Sequence, residues 1–163
     1  MAQVRQAEPA QSAVRDTKPD HWQFFDPATL PWTPWAMPKT DFKLLHVNEG
    51  TGSFTFLLKA EPGAVAGIHK HLGEAEAFIL EGEFGYGAER GKKGWYAYEA
   101  GGAIHTPDAP QGLLLFAVAH GAILGYNADG SVGGVIDVEW MYEAARKNGA
   151  ADHIVRHIRF TDA

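Results

Sequence analysis

Three of the eight histidines in this 163-residue chain have a spacing that can do chemistry. His69 and His71 are two apart, in the run GAVAGIHKH (63–71). On a β-strand alternate side chains share a face, so both imidazoles point the same way. Two imidazoles on one face can bind one metal ion. By itself the pair fits two half-buried strand residues equally well. The third, His105, closes the run GWYAYEAGGAIH, where glycines recur at fixed intervals before it. The chain contains no cysteine, which excludes disulfides, thiolate metal sites and cysteine nucleophiles. There is no G-x-S-x-G elbow, no P-loop and no H-E-x-x-H, so serine hydrolase, P-loop NTPase and zincin chemistry lack motif support.

The elements that must carry these histidines read as strands. Short apolar runs are separated by Gly (19) and Pro (9), the pattern of a sandwich or barrel. Strands are expected at 42–47, 53–60, 63–71, 76–87, 95–100, 113–119, 122–127 and 131–136, with AERGKKG (88–94) as a charged loop. The turn Ala128-Asp129-Gly130 marks a hairpin. At Asp137 the period changes. Asp137 can cap a helix whose apolar face carries Val138, Met141, Tyr142 and Ala145, and Asn148-Gly149 stops it. A second short helix is expected from Asp152, giving a C-terminal helical segment over 137–160. Residues 1–20 read as a flexible polar tail. Residues 21–163 read as one domain, which the length favours. Within it, 21–38 form an aromatic, Pro-rich arm, HWQFFDPATLPWTPWAMP, that either packs on its own barrel or crosses to a second subunit.

Taken together, the glycines and histidines resemble the two motifs of the cupin superfamily. The first is G, five residues, H-x-H, three or four residues, E, six residues, G. The second is G, five residues, P-x-G, two residues, H, three residues, N. Gly63, His69, His71, Gly82, Gly94, Gly102 and His105 fall in place. The resemblance implies an all-β fold, a double-stranded β-helix (jelly-roll) barrel, here with a short C-terminal helix. It implies one divalent metal held by His69, His71 and His105, which are also the expected catalytic residues.

The chain departs from the motifs at three places. Ala100 replaces the proline and Ala109 the asparagine of the second motif. The glutamate of the first motif, the usual fourth ligand, falls on Glu76 when counted forward from His71 and on Ala75 when counted back from Gly82. Strand neighbours face opposite ways, so the two counts disagree on whether a carboxylate enters the barrel. The count from the strand is favoured, which leaves a three-histidine site. Glu76 is then hydrogen-bonded just outside the site or solvated, and Glu74 is a loop charge.

The shortened motif, the LPWTPW entry and the hairpin before the last helix are similar to the family of single-domain cupins that includes 2,4'-dihydroxyacetophenone dioxygenase and acetylacetone-cleaving dioxygenase. That resemblance implies a non-haem, metal-dependent dioxygenase that cleaves a carbon–carbon bond beside a carbonyl in a small hydroxyketone or β-dicarbonyl. Fe(II) is the expected ion, with Zn, Ni, Co or Mn as alternatives. Neutral histidines keep the full divalent charge, which suits an anionic oxygen chelate. Phe78, Phe84, Tyr96, Tyr98 and Phe116 are candidates to line the cavity or to be ordinary core. His46 and His120 sit at strand ends, His120 being the better outside candidate for an acid/base role, and Asp108 reads as a loop residue. The rival functions are a non-catalytic metal-binding or sensor cupin and a metal-dependent isomerase or lyase on the same barrel.

The expected partners are a small-molecule substrate and dioxygen, with a second copy of the chain in a homodimer. A net charge of −6 gives no reason to expect nucleic acid or an anionic membrane. The longest apolar stretch, Leu113 to Ala119, is far below the ~20 residues of a spanning helix. Lack of cysteine and of a signal peptide fits a cytoplasmic protein.

Overall fold

The computed structural model describes residues 24–156. The expected tail over 1–20 and the last part of the expected C-terminal helix lie outside them. The strands, in chain order, are β1 (Thr33–Pro34), β2 (Thr40–Asn48), β3 (Ser53–Ala60), β4 (Ala64–Val65), β5 (His69–His71), β6 (Ala75–Tyr86) and β7 (Glu89–Lys92). They continue with β8 (Tyr96–Glu99), β9 (Ile104–His105), β10 (Asp108–Ala109), β11 (Leu113–Ala119), β12 (Ile123–Tyr126) and β13 (Val132–Ile136), followed by one helix, α1 (Val138–Lys147).

Nine strands form a curled sheet in the order β1-β2-β3-β11-β6-β10-β4, with β7 and β8 also paired to β6. Four more, β13-β12-β5-β9, form a second sheet. Together they make the barrel-like, all-β architecture of a cupin with a short C-terminal helix. The central strands alternate cleanly. In β11, Leu113, Leu115, Ala117 and Ala119 are buried while Leu114, Phe116 and Val118 turn outward. Period-two burial of this kind fixes the register, because a slip of one residue would put every methyl on the wrong face. Gly82, where β6 passes β11, has φ +71°, and a side chain there would collide with the carbonyl of Gly112. Only glycine satisfies both demands.

The helix matches its sequence signals. Asp137 accepts a hydrogen bond from the Trp140 N–H (2.8 Å), and Val138, Met141 and Ala145 are buried. Asn148 caps the other end and its Nδ2 donates to Trp32 O and Thr33 Oγ1, both at 3.1 Å. This ties the arm to the barrel. Phe24 is exposed, and from Phe25 the arm touches its own chain, with the Phe25 ring 4.5 Å from His153, the Trp35 ring 5.2 Å from Phe56 and the Trp32 ring under Lys43 and Lys59.

Some expectations change. The segment read as a charged loop contains β7, whose four residues pair with Glu83 to Tyr86 of β6. Asp152 and His153 form a turn and 154–156 carry no regular structure, so no second helix starts there. Asp108 is not in a loop: it lies on β10, and Arg90 Nη1 donates to its carboxylate at 2.7 Å. No helix among the described residues is long and apolar enough to cross a membrane.

Candidate metal centre

His69 and His71 are the two ends of β5, both buried, with half-buried Lys70 between them. β9 runs antiparallel beside β5, and His105 is the direct cross-strand partner of His69. A three-residue strand and a two-residue strand therefore suffice to bring three imidazoles together. Ring centroids lie 4.6, 4.9 and 5.1 Å apart. One nitrogen from each ring lies within 4.8 Å of the others.

The ring nitrogens have defined roles. His69 Nδ1 lies 2.9 Å from Gly67 O. Donating there keeps the proton on Nδ1 and turns the Nε2 lone pair inward. His69 Nε2 and His105 Nε2 are 3.0 Å apart. His71 Nε2 is buried and makes no hydrogen bond at all. Buried polar atoms are rarely left so. Burial, then the neighbouring His69 and His105, push the His71 imidazole down to about 4. Burial, then His69, do the same for His105, also to about 4. Burial lowers His69 as well. At neutral pH the trio is uncharged, and one nitrogen of each ring lies close to the others. Three nitrogens on one face of an ion with bonds near 2.1 Å stand about 3 Å apart. The donor set, the orphaned nitrogen and these separations suit a divalent ion.

The opposite wall belongs to the large sheet. Glu99, the last residue of β8, reaches into the site with Oε2 3.2 Å from His71 Nε2 and Oε1 3.8 Å from His105 Nε2. Burial raises its carboxyl to about 7. The Tyr86 hydroxyl donates to Glu99 Oε1, and the Tyr86 ring stacks on His105 at 4.7 Å. Neither Glu99 nor Tyr86 is singled out by the motifs. A signal for Glu99 was present in WYAYE (95–99), where alternation puts it on the face of Ala97 and opposite to Tyr96 and Tyr98.

The counts that disagreed over the first-motif glutamate are decided by β6. Ala75 is buried and lines the cavity. The Glu76 carboxylate accepts from the Tyr96 hydroxyl (2.6 Å) and pairs with His120 Nε2 (3.1 Å), all of them substantially exposed. His120 is thus outside the barrel, away from any acid/base role in the cavity. His46 is exposed on β2.

Between the sheets lies a cavity of about 110 Å³ that reaches His69, His71 and Glu99. Its floor is a patch of small side chains, Ala75, Ala77, Ala117 and Ala119, and its far wall carries Trp35, Met37, Phe56, Leu58 and Phe84. Of the five aromatic candidates only Phe84 lines it. Phe78, Tyr96, Tyr98 and Phe116 are 38–58% exposed because they share the outer face of the paired strands β6, β8 and β11, whereas Phe84 lies beyond the register shift that follows Ile79 in β6 and points inward. The space beside the histidines stays open because alanines occupy the inward positions of β6 and β11 there.

The profile of the ChrR cupin-like domain matches residues 21–124. Among solved structures, a protein of unknown function with a cupin-like fold from Ralstonia eutropha JMP134 superposes with a TM-score of 0.75 at 21% identity, over 90% of this chain and 99% of that one. A candidate acetylacetone dioxygenase from Methylibium petroleiphilum PM1 gives 0.71 at 23% identity, over 78% and 96%. An acetylacetone dioxygenase from Acinetobacter johnsonii gives 0.70 at 18%, over 85% and 99%. At these identities the likeness is one of fold. No curated protein matches the chain.

Proposed function

The chain belongs to the ChrR cupin-like domain family, and from that premise we propose that it is a metal-dependent dioxygenase cleaving the carbon–carbon bond beside a carbonyl in a small hydroxyketone or β-dicarbonyl. The observation that carries this reading is the convergence of three neutral imidazoles, one with an orphaned buried nitrogen, at the head of an apolar cavity. The structural likeness to proteins named as acetylacetone dioxygenases supports it.

His69, His71 and His105 would hold the ion, with Fe(II) as the proposed metal. Bound there, it would supply a Lewis-acidic, redox-active centre for a chelating dicarbonyl or hydroxyketone and dioxygen. The chain's own residues do the rest. The Gly67 carbonyl fixes the tautomer of His69. The Tyr86 ring braces His105, and its hydroxyl holds Glu99. The alanine floor and the aromatic wall admit the apolar part of a substrate and keep bulk water from the reacting atoms.

Anaerobic loading with Fe(II), followed by oxygen uptake against a panel of β-diketones and hydroxyketones, tests the reading. Oxygen consumption matched by carbon–carbon cleavage products supports it. Tight zinc binding with no oxygen consumption on any member of the panel would replace it by non-catalytic metal binding, and turnover without oxygen by a lyase or isomerase.

We also propose that two copies pair through the outer face that carries Phe78, Tyr96, Tyr98 and Phe116. These side chains expose apolar area on the order of 400 Å², within the range a single monomer normally leaves open. The patch runs to β8, which among the described residues pairs only with β6 and so keeps one unpaired edge.

A further inference from the structure

Two buried nitrogens on residues that line the cavity have no hydrogen-bond partner among the described residues, His71 Nε2 and Trp35 Nε1. The first belongs to the candidate metal centre. The second is an indole N–H, a donor only, and a cation has no use for it. The Trp35 ring meets Phe56 at 5.2 Å and Phe42 at 6.3 Å, and aromatic faces are weak acceptors. A buried donor without a partner is costly and rare. Away from the histidines and Glu99, the lining side chains able to donate are Trp35 and Thr40, and the Thr40 hydroxyl is committed to Met37 O. The backbone holds the indole in place, since the main-chain N–H of Trp35 donates to Thr40 O at 3.0 Å.

Strand register gives the span between this donor and the histidines. Phe54, Ala119, Ala75 and Glu99 form one cross-strand row of the large sheet, and Phe56, Ala117, Ala77 and Ala97 form another, two residues along. Two residues of strand are about 7 Å. Glu99 marks the end where the histidines lie, and the indole meets Phe56 in the second row. A ligand chelated at the histidines therefore lays one ring or a short carbon chain over the alanine floor before it reaches the indole. No Lys or Arg lines the space, so nothing there would offset a charged end.

We infer that Trp35 Nε1 recognises the far end of the ligand, donating to an uncharged oxygen (ether, hydroxyl or carbonyl) carried beyond the metal-binding oxygens. The arm then supplies a specificity-determining residue to a site whose ion is held by other strands. This rests on the reading of the cavity as the ligand space of the metal centre.

The test uses the Zn(II)-loaded protein, whose ion is redox-inactive, and two β-diketones matched in size: benzoylacetone with a para-methoxy group and benzoylacetone with a para-ethyl group. They differ by an ether oxygen in place of a methylene. Isothermal titration of the wild type is expected to favour the methoxy ligand by at least about threefold in Kd, the size of one hydrogen bond gained. In Trp35→Phe, which keeps an aromatic ring and removes the donor, that preference is expected to vanish. Met37→Ala opens the same wall without removing a donor, and is expected to shift both ligands alike and keep the preference. A wild type that binds the two ligands equally, or binds neither, overturns the role of Trp35 whatever the variants do. A preference that survives in Trp35→Phe, or is lost in Met37→Ala as well, overturns it too. Oxygen uptake by the Fe(II) form is a separate measurement. Its absence beside an intact preference removes the dioxygenase reading and leaves Trp35 in its role, and its presence beside equal affinities does the reverse.

Discussion

Ala75 and Glu99 stand directly opposite each other on β6 and β8, both facing the cavity, and only the second carries a carboxylate. The carboxylate sought after His71 in the first motif thus enters the barrel from the second motif, on the neighbouring strand.

Metal affinity should separate the inward from the outward residues. His105→Ala is expected to abolish stoichiometric metal binding, because it removes one of three converging nitrogens. Glu76→Ala is expected to leave affinity within about twofold, since Glu76 bonds Tyr96 and His120 on the outer face; such surface changes usually cost little. Isothermal titration of both variants with Zn(II) checks the pair, and comparable losses in the two would contradict the assignment of faces.

Filling the alanine floor should block substrate without disturbing the ion. Ala77→Leu or Ala117→Leu places extra methylenes in the cavity, and overpacking costs roughly 1–3 kcal/mol of stability. The expected result is unchanged metal content, with kcat/KM for the best substrate down at least about tenfold. Full activity in both variants would mean that substrate does not use this space.

The metal-free protein should be most sensitive to acid between the two ordinary ranges. His71 and His105 bind protons near 6.5 when unfolded and only near 4 when folded. Their contribution is complete above 6.5 and is lost as pH falls towards 4. Glu99 acts in the opposite sense: its carboxyl rises from an ordinary 4.5 to about 7, so its contribution is present below 4.5 and is lost as pH climbs through 7. With more imidazoles than carboxylates involved, the urea midpoint in excess chelator should rise from pH 4.5 to 6.5. It should rise more steeply in Glu99→Gln, which lacks the opposing group. A midpoint independent of pH in both proteins would sink this account.

Charge on the outer aromatic face should dissociate copies of the chain. Tyr96→Glu and Phe116→Glu lie on exposed positions of paired strands and are expected to fold normally. Light scattering after size exclusion should show a dimer for the wild type and a monomer for each variant. A monomeric wild type would end the proposal for that face.

Much of this arrangement was legible in the sequence. The H-x-H pair predicts a shared face because the strand period is two, and β5 delivers it. The limits of β11 are read to the residue, since unbroken apolarity between Gly112 and His120 leaves little choice. The helix follows its cap and its stop. Errors arose where a residue's place depends on the strand that pairs with it. The glycine-broken, charged run of β7 offers no apolar pattern and becomes a strand through pairing with β6. The aromatics of β6, β8 and β11 were candidates for the cavity because large apolar side chains usually fill interiors, yet parity places them outside. Glu99 was missed for a related reason: its value depends on which strand lies beside it, and register is a property of the pair.

Trp35 and Met37 reach the cavity from the arm, a stretch bound to the barrel by Asn148 and by the lysines over Trp32. The histidines sit on other strands altogether. One wall of the cavity and the candidate metal residues are consequently written in separate parts of the chain. A lineage of such proteins could exchange arm residues and reshape that wall while the strands of the candidate metal centre stayed untouched.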